Sequence, residues 1–209
     1  MNQNLAHTAN KHEPGNLPQL PFALETELER WITAVPAWQT GVLWGQPRPG
    51  HPEGQVLAHI SDMLDNIERY CAASPERERL RLLALLHDTF KYQRTDSLAD
   101  PLRPSHGHLA RRFAEEYITD AGILCVLEHH DDAYKAYRHG QRSGDWQTAE
   151  QMALALIQKL GEHLPLFLCF YWCDNHTPGK SRAHYAWFRS LVTGSSDEGG
   201  IKCACCPAP

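Results

Sequence analysis

Apolar residues recur at helical spacing along most of the chain, and no stretch alternates apolar and polar residues as a strand would. Two segments, Leu82–Leu86 and Leu164–Cys173, are apolar on nearly every side, which is typical of helices buried in a core. The pattern predicts helices at residues 23–34, 55–72, 75–90, 106–118, 121–138, 145–160, 164–173 and 182–192. We therefore expect an all-α fold, a bundle of about seven to eight helices around one core.

The two ends of the chain lack this periodicity. Residues 1–21 are polar and rich in Asn, Gln, His and Pro, and residues 194–209 combine Gly, Ser and Asp with three cysteines. Both ends are predicted to be flexible tails. A chain of 209 residues can bury one substantial core, so residues 22–193 are expected to form a single helical domain.

Charge and composition narrow the possible partners. A net charge of −5 disfavours a protein that grips long nucleic acid, although a small phosphorylated substrate fits, because bound metal ions would invert the local charge. No apolar run has membrane-spanning length, and the first residues contain no signal-peptide core, so a cytoplasmic protein without membrane contact is expected. Four cysteines in apolar segments are predicted to be reduced, namely Cys71, Cys125, Cys169 and Cys173.

The first candidate for chemistry is the pair His87-Asp88, followed by Lys91, at the end of the first all-apolar segment. Ionisable side chains at the end of a buried helix must be paired or metal-bound to be tolerated. Imidazole nitrogen and carboxylate oxygen together suit several first-row metal ions. For an isolated His-Asp pair, a buried histidine hydrogen-bonded to its neighbour is the more common explanation, so the other residues of the chain have to decide between the two.

Further histidines and an aspartate fall on other predicted helices. Besides His87-Asp88 they are His59, His106, His129 and Asp174. A carboxylate that follows an apolar run, as Asp174 does, is costly to bury without a partner. Facing helices of a bundle can build a two-metal site from such groups. The set as a whole therefore favours a metal site over chance.

The order of these residues resembles the HD-domain superfamily of metal-dependent phosphohydrolases: His, His-Asp, two further His, then Asp. Residues 44–180 carry the resemblance, which is closest to the HD domains of bacterial CCA-adding tRNA nucleotidyltransferases. Residues 51–59 are similar to their HPEGDV-type entry, and residues 86–91 to their HDLGK motif. Here Thr89-Phe90 replaces Leu-Gly, which we expect to narrow the substrate approach. We expect no nucleotidyltransferase head in these 209 residues, so tRNA end repair is not expected to carry over.

The resemblance implies two divalent metal ions, with Mn, Mg, Ni, Fe and Zn not distinguished by the sequence. One ion would be held by His59, His87, Asp88 and Asp174, and the other by Asp88 as a bridge, His106 and His129. The resemblance also implies that Asp88 is catalytic and that Lys91 contacts the substrate phosphate.

Several neighbours compete for these roles. The match of the helix end at Glu115-Glu116 favours His106 over His108, and His129 is favoured over His130. Asp131 and Asp132 are expected on the helix surface or hydrogen-bonded to ligating histidines. His51 and Glu53 are expected in structural or supporting positions. Arg77, Arg79 and Arg81 are expected on solvated faces.

The leading hypothesis is a phosphohydrolase that cleaves a phosphomonoester or phosphodiester of a nucleotide or another small metabolite. A di-iron oxygenase that cleaves a C–C or C–P bond would use the same ligands, and a nucleotide-sensing module with a structural metal site is a third possibility. The segments at residues 44–51, 93–104 and 131–145 are expected to set specificity. The substrate, the metal and the oligomeric state cannot be derived from the sequence.

Overall fold

The computed structural model of the protein describes residues 19–49, 52–93 and 104–194, and these residues form ten α-helices and no β-sheet. The helices are α1 (Glu27–Thr33), α2 (Pro36–Val42), α3 (Val56–Cys71), α4 (Arg77–Leu86), α5 (His106–Ala114), α6 (Ala121–His129), α7 (Asp132–Ser143), α8 (Trp146–Leu160), α9 (Leu164–Asn175) and α10 (Ala183–Thr193). The predicted all-α bundle is confirmed. His51, most of the predicted N-terminal tail, residues 195–209 of the C-terminal tail and residues 94–103 lie outside the described residues.

Four helices are preceded by a residue whose side chain accepts a hydrogen bond from the backbone N–H of the third helical residue. The capping residues Thr26, Ser105, Asp120 and Asp145 start α1, α5, α6 and α8. Such caps satisfy backbone N–H groups that have no partner inside the helix. The starts of α1, α5, α6 and α8 are therefore fixed by local side chains.

Several helices are shorter than predicted, and the observed pattern of helices differs from the predicted one in two places. Residues 36–42 form the additional short helix α2, which begins at Pro36. The helix predicted at residues 121–138 is divided into α6 and α7, with the break at His130 and Asp131. The apolar spacing continues across this break, so periodicity alone does not reveal it.

The core is organised around α4 and α9. Every residue of α4 from Leu80 to Leu86 is buried, and so are eight of the twelve residues of α9. Helix α4 packs against α3, α6 and α9. The ends of these four helices meet at one end of the bundle, where α4 delivers His87 and Asp88.

The end of α4 is fixed by hydrogen bonds to the carbonyl oxygen of Leu85. The indole Nε1 of Trp38 donates to this oxygen at 2.8 Å, and the hydroxyl of Thr89 donates to it at 2.9 Å. Helix α2 lies so close that a Cβ atom on Gly41 would be 1.9 Å from the carbonyl oxygen of Thr89. The absence of a side chain at Gly41 therefore allows α2 to support the turn that carries Asp88.

A buried ion pair joins α1 to α4. The guanidinium of Arg81 donates from Nε to Oε1 of Glu29 at 2.7 Å and from Nη2 to the carbonyl oxygen of Ala23 at 2.9 Å. Both Arg81 and Glu29 are buried, so the prediction of a solvated Arg81 is wrong. Arg77 is more exposed and pairs with Glu25 and Glu68.

Helices α8 and α9, with the short 3-10 turn Gly161–His163 between them, form one helical run of 30 residues, Trp146–Asn175. An 18-residue window within this run has a mean hydropathy of 1.3, which by length and composition alone would allow it to cross a membrane, and 44% of that window is buried inside the protein. A helix in a protein core can have the same length and composition, and α9 is such a helix. The expected cytoplasmic location stays a prediction.

The cysteines follow the prediction in part. Cys71, Cys125 and Cys173 are free thiols. Cys169 is disulfide-bonded, so the prediction of a reduced thiol is wrong at this position.

We predict that Arg81→Met lowers the free energy of unfolding by about 3–5 kcal/mol, because it leaves the carboxylate of Glu29 buried without its partner. The matched control is Arg77→Met, one helical turn earlier, where an exposed pair contributes about 1 kcal/mol or less. Urea denaturation followed by circular dichroism measures both. Equal losses in the two variants would contradict a special role for the buried pair.

Candidate metal centre

Asp88 lies at the centre of the site, and its two carboxylate oxygens face two different groups of histidines. Oδ2 is 3.4 Å from His87 Nε2 and 4.0 Å from His59 Nε2. Oδ1 is 3.5 Å from Nε2 of both His106 and His130. Asp88 is thus placed to bridge two adjacent positions.

The first group lies on the Oδ2 side of Asp88. His59 on α3 has its Nε2 2.9 Å from Oδ1 of Asp174, at the end of α9. His87 Nε2 is 4.0 Å from the same oxygen. The nitrogen and oxygen atoms of His59, His87 and Asp88 lie close enough together to hold one metal ion.

The second group lies on the Oδ1 side and comprises Asp88, His106 and His130. Helices α5 and α6 approach closely because Gly107 has no side chain, and a Cβ there would lie 2.7 Å from the carbonyl oxygen of Leu127. This approach brings Nε2 of His106 to 2.9 Å from Nε2 of His130. The lone pairs of two nitrogen atoms at this distance repel each other unless a proton or a cation lies between them.

His129, predicted as a ligand of the second ion, does not belong to this group. Its Nδ1 is 2.8 Å from the carboxylate of Asp132, and its neighbour His130 occupies the position instead. The choice of His129 is therefore corrected to His130. The physical reason is the end of α6 at His129, which turns the next side chain into the bundle.

The structure also distinguishes ligand positions from supporting positions among the other candidate residues. His106 is buried in the second group, whereas His108 is 43% exposed in its side chain and faces Glu128 at 3.6 Å. Asp131 was expected on the surface or beside a ligand, and its carboxylate lies 3.4 Å from His106 Nε2 and 3.8 Å from His130 Nε2. Glu53 lies 3.4 Å from Nδ1 of His59, the supporting position that was expected.

Two lysines accompany the aspartates. Lys91 Nζ donates to Asp88 Oδ2 at 2.5 Å, and Lys180 Nζ donates to Asp174 Oδ1 at 2.5 Å. Lys180 was not among the predicted residues, because a lysine in a Pro/Gly turn carries no signal in a single sequence. The fold alone brings it to the site.

These charges keep the carboxylates ionised. Burial by itself would raise the pKa of Asp88, but His87 and Lys91 hold it well below its usual range. Burial likewise opposes ionisation of Asp174, and the charge of Lys180 together with His59 holds its pKa well below the usual value. Burial would lower the pKa of Lys91, but Asp88 and Asp131 raise it above its usual value. Lys91 therefore stays cationic at neutral pH.

The donor set fits divalent metal ions. Nδ1 of His87 donates to backbone carbonyl oxygens at 3.2 Å, and Nδ1 of His130 donates to the carbonyl of Leu127 at 2.8 Å. This leaves Nε2 of each ring as a lone-pair donor aimed at Asp88, the arrangement usual for ligating histidines. His87 Nε2 and Asp88 Oδ1 are buried, and neither makes a hydrogen bond within the part of the chain that the structure describes. Bound ions would satisfy both atoms.

A cavity of about 370 Å³ opens over this site. Its walls carry Asp88, Lys91, His130, Asp131, Asp174 and Lys180 near the site. The remaining lining includes Tyr134, Tyr137 and Gln141 of α7, Tyr171 of α9, Ser181 in the turn before α10, and His184 of α10. Thr89 and Phe90 do not line the cavity. Both are buried, and Phe90 packs on Phe113 with 5.1 Å between the ring centroids. The expectation that they narrow the substrate approach is wrong.

A helical bundle whose helix ends bring together four histidines and two aspartates, with lysines beside them, defines a metal-site protein of the His/Asp type. The family model of the HD domain matches residues 54–163, which are 110 of the 209 residues. The chain belongs to the HD domain family, within a superfamily of metal-dependent phosphohydrolases. Comparisons with curated proteins and with solved structures gave no significant match. Asp174 lies beyond the matched residues.

We predict that His130→Ala loses one of about two bound ions per chain, whereas the matched neighbour variant His129→Ala keeps both, because only His130 faces Asp88. Each variant is loaded with Mn²⁺ and desalted, and its metal content is measured by inductively coupled plasma mass spectrometry. The assignment of His130 as the ligand is wrong if His129→Ala loses an ion and His130→Ala does not.

We also predict a stability change with pH that depends on His184. Burial lowers the pKa of His184 from its ordinary 6.5 to about 4. Below pH 6.5 the unfolded chain therefore binds a proton at this histidine, whereas the folded chain does not. The contribution of His184 to the free energy of unfolding is fully present above pH 6.5 and is lost as the pH falls towards 4. The free energy of unfolding falls by about 3 kcal/mol over this pH range.

Urea denaturation at several pH values, with wild-type protein and His184→Gln compared, measures this contribution. The difference between the two proteins isolates His184 from the carboxylates that titrate in the same range. If wild type and His184→Gln differ in free energy of unfolding by the same amount at pH 7 and at pH 4, His184 is not held neutral by burial.

Proposed function

We propose that the protein is a metal-dependent phosphohydrolase that cleaves a phosphomonoester or phosphodiester of a nucleotide or another small phosphorylated metabolite. The observation that carries the proposal is the position of Asp88, whose two oxygens face two separate groups of ligand atoms. Such a bridging carboxylate is what a dinuclear site requires. The closer likeness to CCA-adding enzymes stays a prediction.

Two divalent ions, when bound, would supply an activated water and neutralise charge on the phosphate. His59, His87, Asp88 and Asp174 would hold one, and Asp88, His106 and His130 the other. Manganese, magnesium, nickel, iron and zinc all accept this donor set.

The lysines support an anionic substrate. Lys91 and Lys180 both line the cavity, and each is held by one aspartate of the site. Ions that bind to Asp88 and Asp174 would compete for these carboxylates and leave the ammonium groups available to phosphate oxygens. Positive groups placed where negative charge develops lower the barrier to phosphate transfer.

The di-iron oxygenase hypothesis uses the same ligands, and no contact in the described residues favours it over hydrolysis. The two reactions differ in their metal, because an oxygenase needs iron that changes oxidation state. A sensing module would bind a phosphorylated ligand without turnover. The experiment below separates the three.

We predict that Mn²⁺-loaded protein hydrolyses p-nitrophenyl phosphate or bis(p-nitrophenyl) phosphate, and that Lys91→Met lowers kcat about 10²–10³-fold, because the charge beside the phosphate is lost. Asp88→Asn should lose at least as much and should bind fewer ions. The matched control is Lys135→Met, since Lys135 lies outside the cavity and pairs with Asp132. Initial rates at pH 7.5 measure all four proteins.

Metal content and electron paramagnetic resonance of protein purified without chelator complete the experiment. Coupled iron with dioxygen-dependent turnover and no phosphatase activity would establish the oxygenase instead. Phosphate binding without turnover, with any metal, would favour the sensing module.

A further inference from the structure

The cavity has two chemically different halves. The half at the metal centre is charged and carries three aspartates and two lysines. The other half contains Tyr134 and Tyr137 on α7 and His184 on α10, which together we call the aromatic wall. Nothing in the proposed phosphate chemistry uses the aromatic wall, and α10 lies outside the residues that the family model matches.

The rings of the aromatic wall are packed against one another and backed from behind. The ring centroid of His184 lies 4.9 Å from that of Tyr134, in an edge-to-face arrangement, and 6.0 Å from that of Tyr137. Tyr137 rests in turn on Trp146 at 5.6 Å and Trp187 at 5.7 Å. A surface supported in this way is preorganised, so a ligand would not have to order it on binding.

His184 is fixed and uncharged. The hydroxyl of Tyr171 is 2.7 Å from Nδ1 of His184, and the ring makes no other hydrogen bond to a described residue. Burial lowers the pKa of His184 to about 4, while the charges of Asp174, Lys180 and Asp131 nearby partly cancel. At neutral pH the wall therefore presents aromatic rings, hydroxyls and a neutral imidazole.

The size and charge of the cavity indicate a ligand larger than a phosphate. A volume of about 370 Å³ lies in the range of pockets that hold a whole small molecule. No lysine or arginine lines the aromatic half; Arg138 lies over the ring of Tyr134 at 5.5 Å but is not part of the cavity lining. The three residues of the aromatic wall carry no positive charge, so the wall itself favours an uncharged group over a second phosphate.

We propose that the aromatic wall is the binding subsite for a flat, uncharged aromatic ring that the substrate carries beyond its phosphate, with Tyr134 as the main stacking surface. Tyr134 lines the cavity and is 37% exposed, so part of its ring is accessible to a ligand besides the area that Arg138 covers. Stacked rings gain energy beyond the area that they bury. The inference rests on the proposed function, because binding of the phosphate at the metal centre would place the substrate's ring at the aromatic wall.

The experiment measures binding of phosphonates, whose carbon–phosphorus bond resists hydrolysis, to Mn²⁺-loaded full-length protein by isothermal titration calorimetry. Methylphosphonate, cyclohexylphosphonate and phenylphosphonate share the charged head and differ in the group beyond it. We expect phenylphosphonate to bind about ten-fold more tightly than methylphosphonate and several-fold more tightly than cyclohexylphosphonate.

Tyr134→Leu should remove the preference for the phenyl group and leave the affinity for methylphosphonate within about two-fold of wild type. The matched control is Tyr117→Leu, because Tyr117 packs on Phe113 outside the cavity. Should Tyr134→Leu fail to fold, the ligand series on wild-type protein decides alone.

The outcomes separate the two proposals. Equal affinity for the methyl and phenyl compounds, or equal affinity for cyclohexyl and phenyl, overturns the ring subsite while the phosphate site stands. Absence of binding by all three phosphonates contradicts the proposed function itself. A nucleoside 5′-methylenephosphonate distinguishes the source of the ring: tighter binding than phenylphosphonate identifies a nucleobase, and weaker binding identifies an aryl group attached directly to the phosphate.

Discussion

The charge of Asp88, buried at the end of α4, is the constraint on which the rest of the structure depends. An ionised carboxylate inside a protein costs several kcal/mol unless partners compensate for it. Here the partners come from every side: Lys91 follows on the same turn, His59 comes from α3, and His106 and His130 come from the meeting of α5 and α6. The helices must therefore end at one place in the bundle, and the arrangement of the core follows from that requirement.

The position of Asp88 is only as fixed as the end of α4. The last carbonyl groups of a helix have no partner within it, and the carbonyl of Leu85 receives two donors, Trp38 Nε1 and the Thr89 hydroxyl. Trp38 belongs to α2, which approaches the turn only because Gly41 has no side chain. The short helix α2 contributes no atom to the metal centre, yet it holds the backbone on which the centre is built.

The sequence predicts well what depends on strong local signals. All-apolar segments gave the buried helices α4 and α9, and a carboxylate after such a segment indicated Asp174. It predicts less well what depends on the exact end of a helix: His129 and His130 are adjacent in an apolar pattern that continues past the break between α6 and α7, so the pattern does not show which of them faces Asp88. Lys180 reaches the site through a turn, and no periodic pattern marks such a residue.

The residues that hold metal and those proposed to contact substrate are supported by different parts of the fold. His59, His87 and Asp174 sit on α3, α4 and α9, which pack on one another in the core. Tyr134, Tyr137 and His184 sit on α7 and α10, which contact each other and α8, and α10 also packs on α9. Helices α7 and α10 carry none of the proposed metal ligands, so a substitution there can reshape the aromatic wall without removing a ligand. The metal ligands and the aromatic wall can therefore vary separately, and the substrate has to be inferred from α7, α10 and the turn that carries Lys180.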